Sequence, residues 1–151
     1  MAVIGSNAAG KALPNISFFG STSWTPAYDM QAYVYVIGGG GGGAVAGSSA
    51  NARSSGGGAG GCAVSLLTLL SSVTYTITIG AGGTRRSATG PYAGYDGNNS
   101  SFAGSNISTM TGNAGSGGNT SDSSTAAGGA GGTASGGNIS NNTGGAGGDV
   151  G

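Results

Sequence analysis

Between Val73 and Ile79 the chain alternates strictly: Val73, Tyr75, Ile77 and Ile79 are apolar, and Thr74, Thr76 and Thr78 separate them. A period of two belongs to a strand with one face in a core and the other in water, so Tyr75, Ile77 and Ile79 are expected to point inward. Ala63 to Leu70 is an apolar, β-capable run, and Ser71-Ser72 after it is a turn, so the pattern predicts an antiparallel hairpin of the two strands. Residues 31–37 form an earlier strand in which Tyr33, Tyr35 and Ile37 share one face and Val34 and Val36 the other. Both faces call for cover, which places that strand centrally, with Ile16, Phe18, Phe19 and Trp24 supplying short strands or a lid beside it. No amphipathic stretch lasts three helical turns, because Gly or β-branched residues interrupt every window. Residues 62–80 have the length of a membrane span, but Ser65, Thr68, Ser71, Ser72, Thr74, Thr76 and Thr78 break it up.

Past residue 84 the pattern fades. Residues 1–84 hold 25 of the large apolar residues, and residues 85–151 hold seven: Tyr92, Tyr95, Phe102, Ile107, Met110, Ile139 and Val150. The expected organisation is an N-terminal attachment segment (1–15), a small β-domain with glycine loops (16–84) and a glycine-rich extended region (85–151). Gly accounts for 37 of the 151 residues, several times ordinary usage of about 7%. Runs of glycine fill 38–43 and, around Ala59, 56–61; Gly-Gly-Ala-Gly-Gly recurs at 128–132 and 144–148. Glycines three apart suit polyproline II geometry, which has three residues per turn and leaves N–H and C=O groups free to bond sideways. Three prolines and a loose repeat exclude collagen. The tracts are therefore expected to pack as polyglycine II helices, residues 117–148 among them, the alternative being a flexible coil. The fold class is all-β: a small antiparallel β-sandwich-like domain followed by polyglycine segments, with almost no α-helix.

Charge excludes more than it suggests. Lys11, Arg53, Arg85 and Arg86 balance Asp29, Asp96, Asp122 and Asp149, with no His and no Glu. A basic patch for nucleic acid and a polybasic cluster for anionic lipid are both missing. Without His or Glu, a Ser-His-Asp or Cys-His arrangement cannot be built, and metal ligation fails for the same reason. The chain is expected to be no enzyme, with no cofactor and no metal site. Cys62 is a lone thiol, and residues 1–7 lack the basic and apolar regions of a secretory signal.

The order of these motifs resembles the glycine-rich domain of phage tail proteins. The resemblance rests on Trp24 with Pro26, the strand into 38–43, the block 56–61, Tyr75 through Gly83, Ser100-Ser101-Phe102 and the later Gly-Gly-Ala-Gly-Gly units. It departs at Leu70-Ser71-Ser72, where that family usually has Pro-Gly. The resemblance implies a virion tail-fibre or adhesin subunit, extracellular once released. Its expected partners are other copies of itself, as a homotrimer, phage tail or fibre proteins, and a bacterial surface glycan or outer-membrane protein. In related adhesins, loops between polyglycine helices carry receptor binding. Here the loops 85–95 and 138–143 offer Arg85, Arg86, Tyr92, Tyr95, Asn141 and Asn142, the tyrosines for stacking on sugars. The alternative for those tyrosines is packing over glycine. A purely structural fibre or decoration subunit, or an extracellular filament, is the other functional class.

Overall fold

A computed structural model of the 151-residue chain describes all residues except 9, 10, 13–15, 87–89, 123 and 124, and describes residues 2–8, 11 and 12 by their backbone. Thirteen strands follow one another among the described residues: β1 (Ala2–Ala8), β2 (Lys11–Ala12), β3 (Ile16–Phe18), β4 (Thr22–Trp24), β5 (Met30–Ile37), β6 (Arg53–Ser54), β7 (Cys62–Leu69), β8 (Tyr75–Thr78), β9 (Ser100–Ala103), β10 (Met110–Gly112), β11 (Thr120–Ser121), β12 (Ala134–Ser135) and β13 (Ser140–Asn142). The described residues contain no helix.

Two antiparallel sheets face each other. One has the order β13-β7-β5-β1-β2, with β3 also on β1, and the other the order β12-β10-β9-β8-β4. β5 is central in its sheet, and Ala32, Val34 and Val36 point into the core with Ala63 and Leu69 of β7. The expected cover on its other face is missing, and Tyr33 and Tyr35 are exposed there, because the second sheet packs on one side alone. Tyr75, Ile77, Phe102 and Met110 close the core from the opposite sheet. Phe18, Trp24, Tyr75 and Phe102 form an aromatic ladder with centroid spacings of 5.9, 6.2 and 5.2 Å. The Tyr75 hydroxyl donates to Asn106 Oδ1 and accepts the Leu70 amide, both at 2.9 Å, so the buried ring keeps its polar end paired.

Two further features depart from the sequence pattern. The predicted hairpin of 63–70 and 73–79 is an arch instead: β7 pairs with β5 and β13, β8 pairs with β4 and β9, and the turn carries the chain from one sheet to the other. Both strands bury one face in the same core, which they can do from opposite sides. The turn itself is present, with the Val73 amide on the Leu70 carbonyl at 3.1 Å. Asp29 holds it by accepting the Ser71 amide and hydroxyl at 2.7 and 2.8 Å. The second departure concerns the compositional halves, which interleave. Strands β9, β10, β12 and β13 join the sheets begun by earlier strands, Phe102 and Met110 are fully buried, and residues 2–8 form a strand beside β5.

Seven extended segments leave or enter these strands: p1 (38–45) continues β5, p2 (55–61) leads into β7, p3 (80–84) continues β8, p4 (92–98) leads into β9, p5 (112–119) continues β10, p6 (126–133) leads into β12, and p7 (144–150) follows β13. Their hydrogen bonds advance by three residues. The amides of Gly38, Gly41 and Ala44 donate to Gly61, Gly58 and Ser55 of p2, at 3.0, 2.8 and 3.1 Å. Those of Gly39, Gly42 and Val45 donate to Asn98, Tyr95 and Tyr92 of p4. Successive amides that turn to different neighbours and return every third residue are the signature of a threefold helix. The pairings define two rows, p3-p1-p2-p7 and p4-p5-p6, with p5 bonded to p1 and p2 and p6 to p2 and p7.

Glycine is required where the segments touch, both between the rows and within them. A Cβ on Gly58, Gly61, Gly129, Gly131 or Gly132 would land on a neighbouring carbonyl. In each Gly-Gly-Ala-Gly-Gly unit the central residue, Ala59, Ala130 or Ala146, points to solvent and tolerates its methyl group. Between residues 117 and 148 the helices are interrupted where β12 and β13 return the chain to the sheets.

Candidate functional site

Each glycine segment either leaves the sandwich or comes back to it. Segments p1, p3 and p5 run outward and p2, p4 and p6 return, so the described residues of the connections, 46–54, 85, 86, 90, 91, 120–122 and 125, lie together at the far end. About seven residues at ~3.1 Å each put that end roughly 20 Å beyond the strands.

Backbone pairing knits the loops into one tip. Val45 and Tyr92 form a bridge, β6 pairs with β11 through Arg53–Ser121 and Ser54–Thr120, and Ala126 pairs with Val150. Ser55, buried at the base, accepts the Asn119 amide at 2.8 Å and donates its hydroxyl to the Ala127 carbonyl. Ser49 Oγ donates to Asp122 Oδ1 at 3.4 Å, tying the first loop to the third.

On this tip Arg86 lies over two rings, its guanidinium carbon 4.5 Å from the Tyr95 centroid and 5.4 Å from that of Tyr92. Such contacts are worth about 0.5–1 kcal/mol each at exposed positions. They order a long side chain that would otherwise sample many rotamers. Tyr92 and Tyr95 stay 40% and 48% exposed. The result is an aromatic platform with guanidinium donors at its centre, a surface that suits the apolar face of a sugar ring together with its hydroxyl or carboxylate groups. Arg85 is exposed one residue earlier. Residues 87–89 of this loop lie outside the described residues.

The other two sequence candidates are elsewhere. Asn141 and Asn142 belong to the edge strand β13, at the sandwich end of p7. Asn141 accepts the Gly137 amide at 2.8 Å and donates to the Gly137 carbonyl at 2.9 Å, closing the turn before its strand. Asn142 donates to Ser140 Oγ at 3.0 Å. The sequence reading placed these asparagines in a loop between polyglycine helices, and the pairing of β13 with β7 instead makes them sheet residues. It also passed over Ser49, Arg53 and Asp122. The signal for them was parity: if glycine tracts alternate out and back, every second interruption falls on the tip.

At the opposite end, a hollow of about 570 Å³ is lined by Leu66, Leu70, Ile107 and Asn138 among others. Its asparagines are committed to the backbone, Asn138 to both polar groups of Leu66 and Asn106 to the Thr68 carbonyl. A family model described as a glycine-rich domain matches residues 16–151. No curated protein and no solved structure matches the chain.

Proposed function

We propose, for a chain that belongs to the glycine-rich domain family, a non-enzymatic role as a phage tail-fibre or adhesin subunit whose distal tip binds the bacterial host surface. The observation that supports this reading is the gathering of three loops at one end of a rigid bundle, with Arg86 ordered between exposed Tyr92 and Tyr95. A rigid scaffold that presents variable loops is how binding surfaces are commonly built. The chemistry of the platform favours a surface glycan, with an outer-membrane protein as the other class of receptor. The near-absence of charge keeps the bundle indifferent to polyelectrolytes around it. A structural or decoration subunit is the competing role, favoured by the extent of plain glycine surface.

Labelled protein applied to a panel of bacterial strains and to arrayed bacterial surface glycans tests the proposal. Tyr92→Ala with Tyr95→Ala is expected to reduce binding about tenfold or more, equivalent to ~1.4 kcal/mol. Asn141→Ala with Asn142→Ala is expected to leave it unchanged. Failure of the wild-type protein to bind any strain or glycan would favour the structural role.

A further inference from the structure

The outer side of the row p3-p1-p2-p7 is built differently from the outer side of p4-p5-p6. Six glycines of the first row, Gly40, Gly43, Gly56, Gly82, Gly145 and Gly148, have no steric need to be glycine. A Cβ would meet its nearest neighbour at 3.4 Å on Gly40 and Gly56, 3.7 Å on Gly82 and 4.0 Å on Gly43, and nothing within 4 Å on Gly145 or Gly148. None of the six has a positive φ. Glycine costs backbone entropy wherever it is ordered, so the packing within one chain does not account for these six.

Hydrogen bonding shows the same asymmetry. Two of every three amides of p1 and p2 bond to neighbouring segments, and the third points away. Among the described residues the amides of Gly40, Gly43, Gly57 and Gly60 have no partner, and neither do the carbonyls of Gly38, Gly41, Gly57 and Gly60. On p5, the middle segment of the opposite row, the outward amides are taken up by side chains. Asp96 accepts the Gly117 amide at 2.7 Å, Asn99 accepts the Ala114 amide at 2.8 Å, and Asn119 donates to the Ala127 carbonyl at 3.0 Å. The middle of one row is thus covered by side chains, whereas p1 and p2, the middle of the other, end in bare backbone.

We propose that the bare face packs against the same face of a second copy of this chain, continuing the polyglycine lattice across a two-fold interface. Donors and acceptors recurring every third residue match another threefold helix, and the side chain that p2 exposes on this face is no larger than the methyl group of Ala59. The face carries both donors and acceptors, so it is complementary to itself, as an isologous interface must be. Residues 38–45, 55–61 and 144–148 include no charged side chain to repel a second copy. Where p1 and p2 run into β5 and β7, the outer side of the sheet adds Tyr33, Tyr35 and Leu66, exposed by 46%, 39% and 38%, as apolar area for the same contact. A face of this kind closes as a dimer, in place of the trimer implied by the resemblance to tail fibres. The proposal does not depend on receptor binding at the tip.

Sedimentation equilibrium of the purified chain, with no host material present, tests it. The wild-type protein is expected to show a concentration-dependent monomer–dimer equilibrium. Gly43→Lys with Gly145→Lys is expected to weaken the dimer by more than about tenfold while the circular dichroism and melting temperature stay those of the wild-type monomer. Ala93→Lys with Ala130→Lys, on the other row, is expected to dimerise as the wild type does. Should the first variant fold poorly, amide exchange of the wild type decides instead: Gly40, Gly43, Gly57 and Gly60 are to become protected as concentration rises. A wild type that stays monomeric at every attainable concentration, a trimer, or equal loss of association in both lysine variants would overturn the proposal.

Discussion

At the scale of single residues, glycine does two jobs in this molecule, and only one is steric. Gly131 lies where p6 meets p7, and its Cβ would fall on the Gly144 carbonyl. Gly145, one residue after that carbonyl, faces open space. Gly145→Ala is expected to stabilise the monomer by about 0.4–1 kcal/mol through the unfolded chain. Gly131→Ala is expected to destabilise it by ~1–3 kcal/mol or more, as overpacking does. Urea unfolding of the two variants side by side checks the contrast, and equal effects would remove the steric distinction. The recurrence of Gly-Gly-Ala-Gly-Gly was legible in the sequence, and the structure adds that Ala130 and Ala146 are exposed. The roles of Gly40 and Gly145 were not legible, since a glycine kept for contact and one kept for openness look the same in sequence.

At the scale of elements, the alternation of Val73 to Ile79 and the two-faced pattern of residues 31–37 disclosed which side chains are buried: Tyr75 and Ile77 on one strand, Val34 and Val36 on the other. Periodicity identifies the inner face of a strand without identifying its neighbour, and for that reason the arch between β7 and β8 passed for a hairpin. Asp29 stabilises that arch from outside the strands it connects. Its two hydrogen bonds from Ser71, the amide first and the hydroxyl second, hold its carboxyl below the ordinary value of 3.8. A carboxylate depressed in the folded state contributes stability that is complete above 3.8 and is lost as pH falls through the lower folded value. Asp29→Asn is therefore expected to lower the melting temperature at neutral pH and to flatten its decline in acid. Melting curves recorded from about pH 2 to pH 7 check this, and a variant as acid-sensitive as the wild type would assign that sensitivity to the other aspartates.

At the scale of the whole molecule, strands and polyglycine helices are two stretches of the same extended chain. Each of the seven segments is joined in sequence to a strand, so the sandwich core fixes where every glycine helix begins or ends. That connection matters energetically. Ordering a residue costs about 1–2 kcal/mol of backbone entropy, and a lateral hydrogen bond returns only ~0.5–1.5 kcal/mol net, so a free bundle of glycine helices is marginal. The uneven count of large apolar residues suggested a break near residue 84. It could not show that Phe102 and Met110 complete the core of the first half, because that pairing is long-range and leaves no local pattern. Likewise the tip was legible only in part: Arg86, Tyr92 and Tyr95 were found by their chemistry, whereas Ser49, Arg53 and Asp122 reach it through topology. Residue-resolved amide exchange across 126–150 tests the bundle most directly. The threefold lattice predicts slow exchange at Gly129, Gly132, Gly144 and Gly147, whose amides bond to neighbouring segments, and fast exchange at Ala130, Gly131 and Ala146; uniformly fast exchange, or protection alternating every second residue, would contradict it.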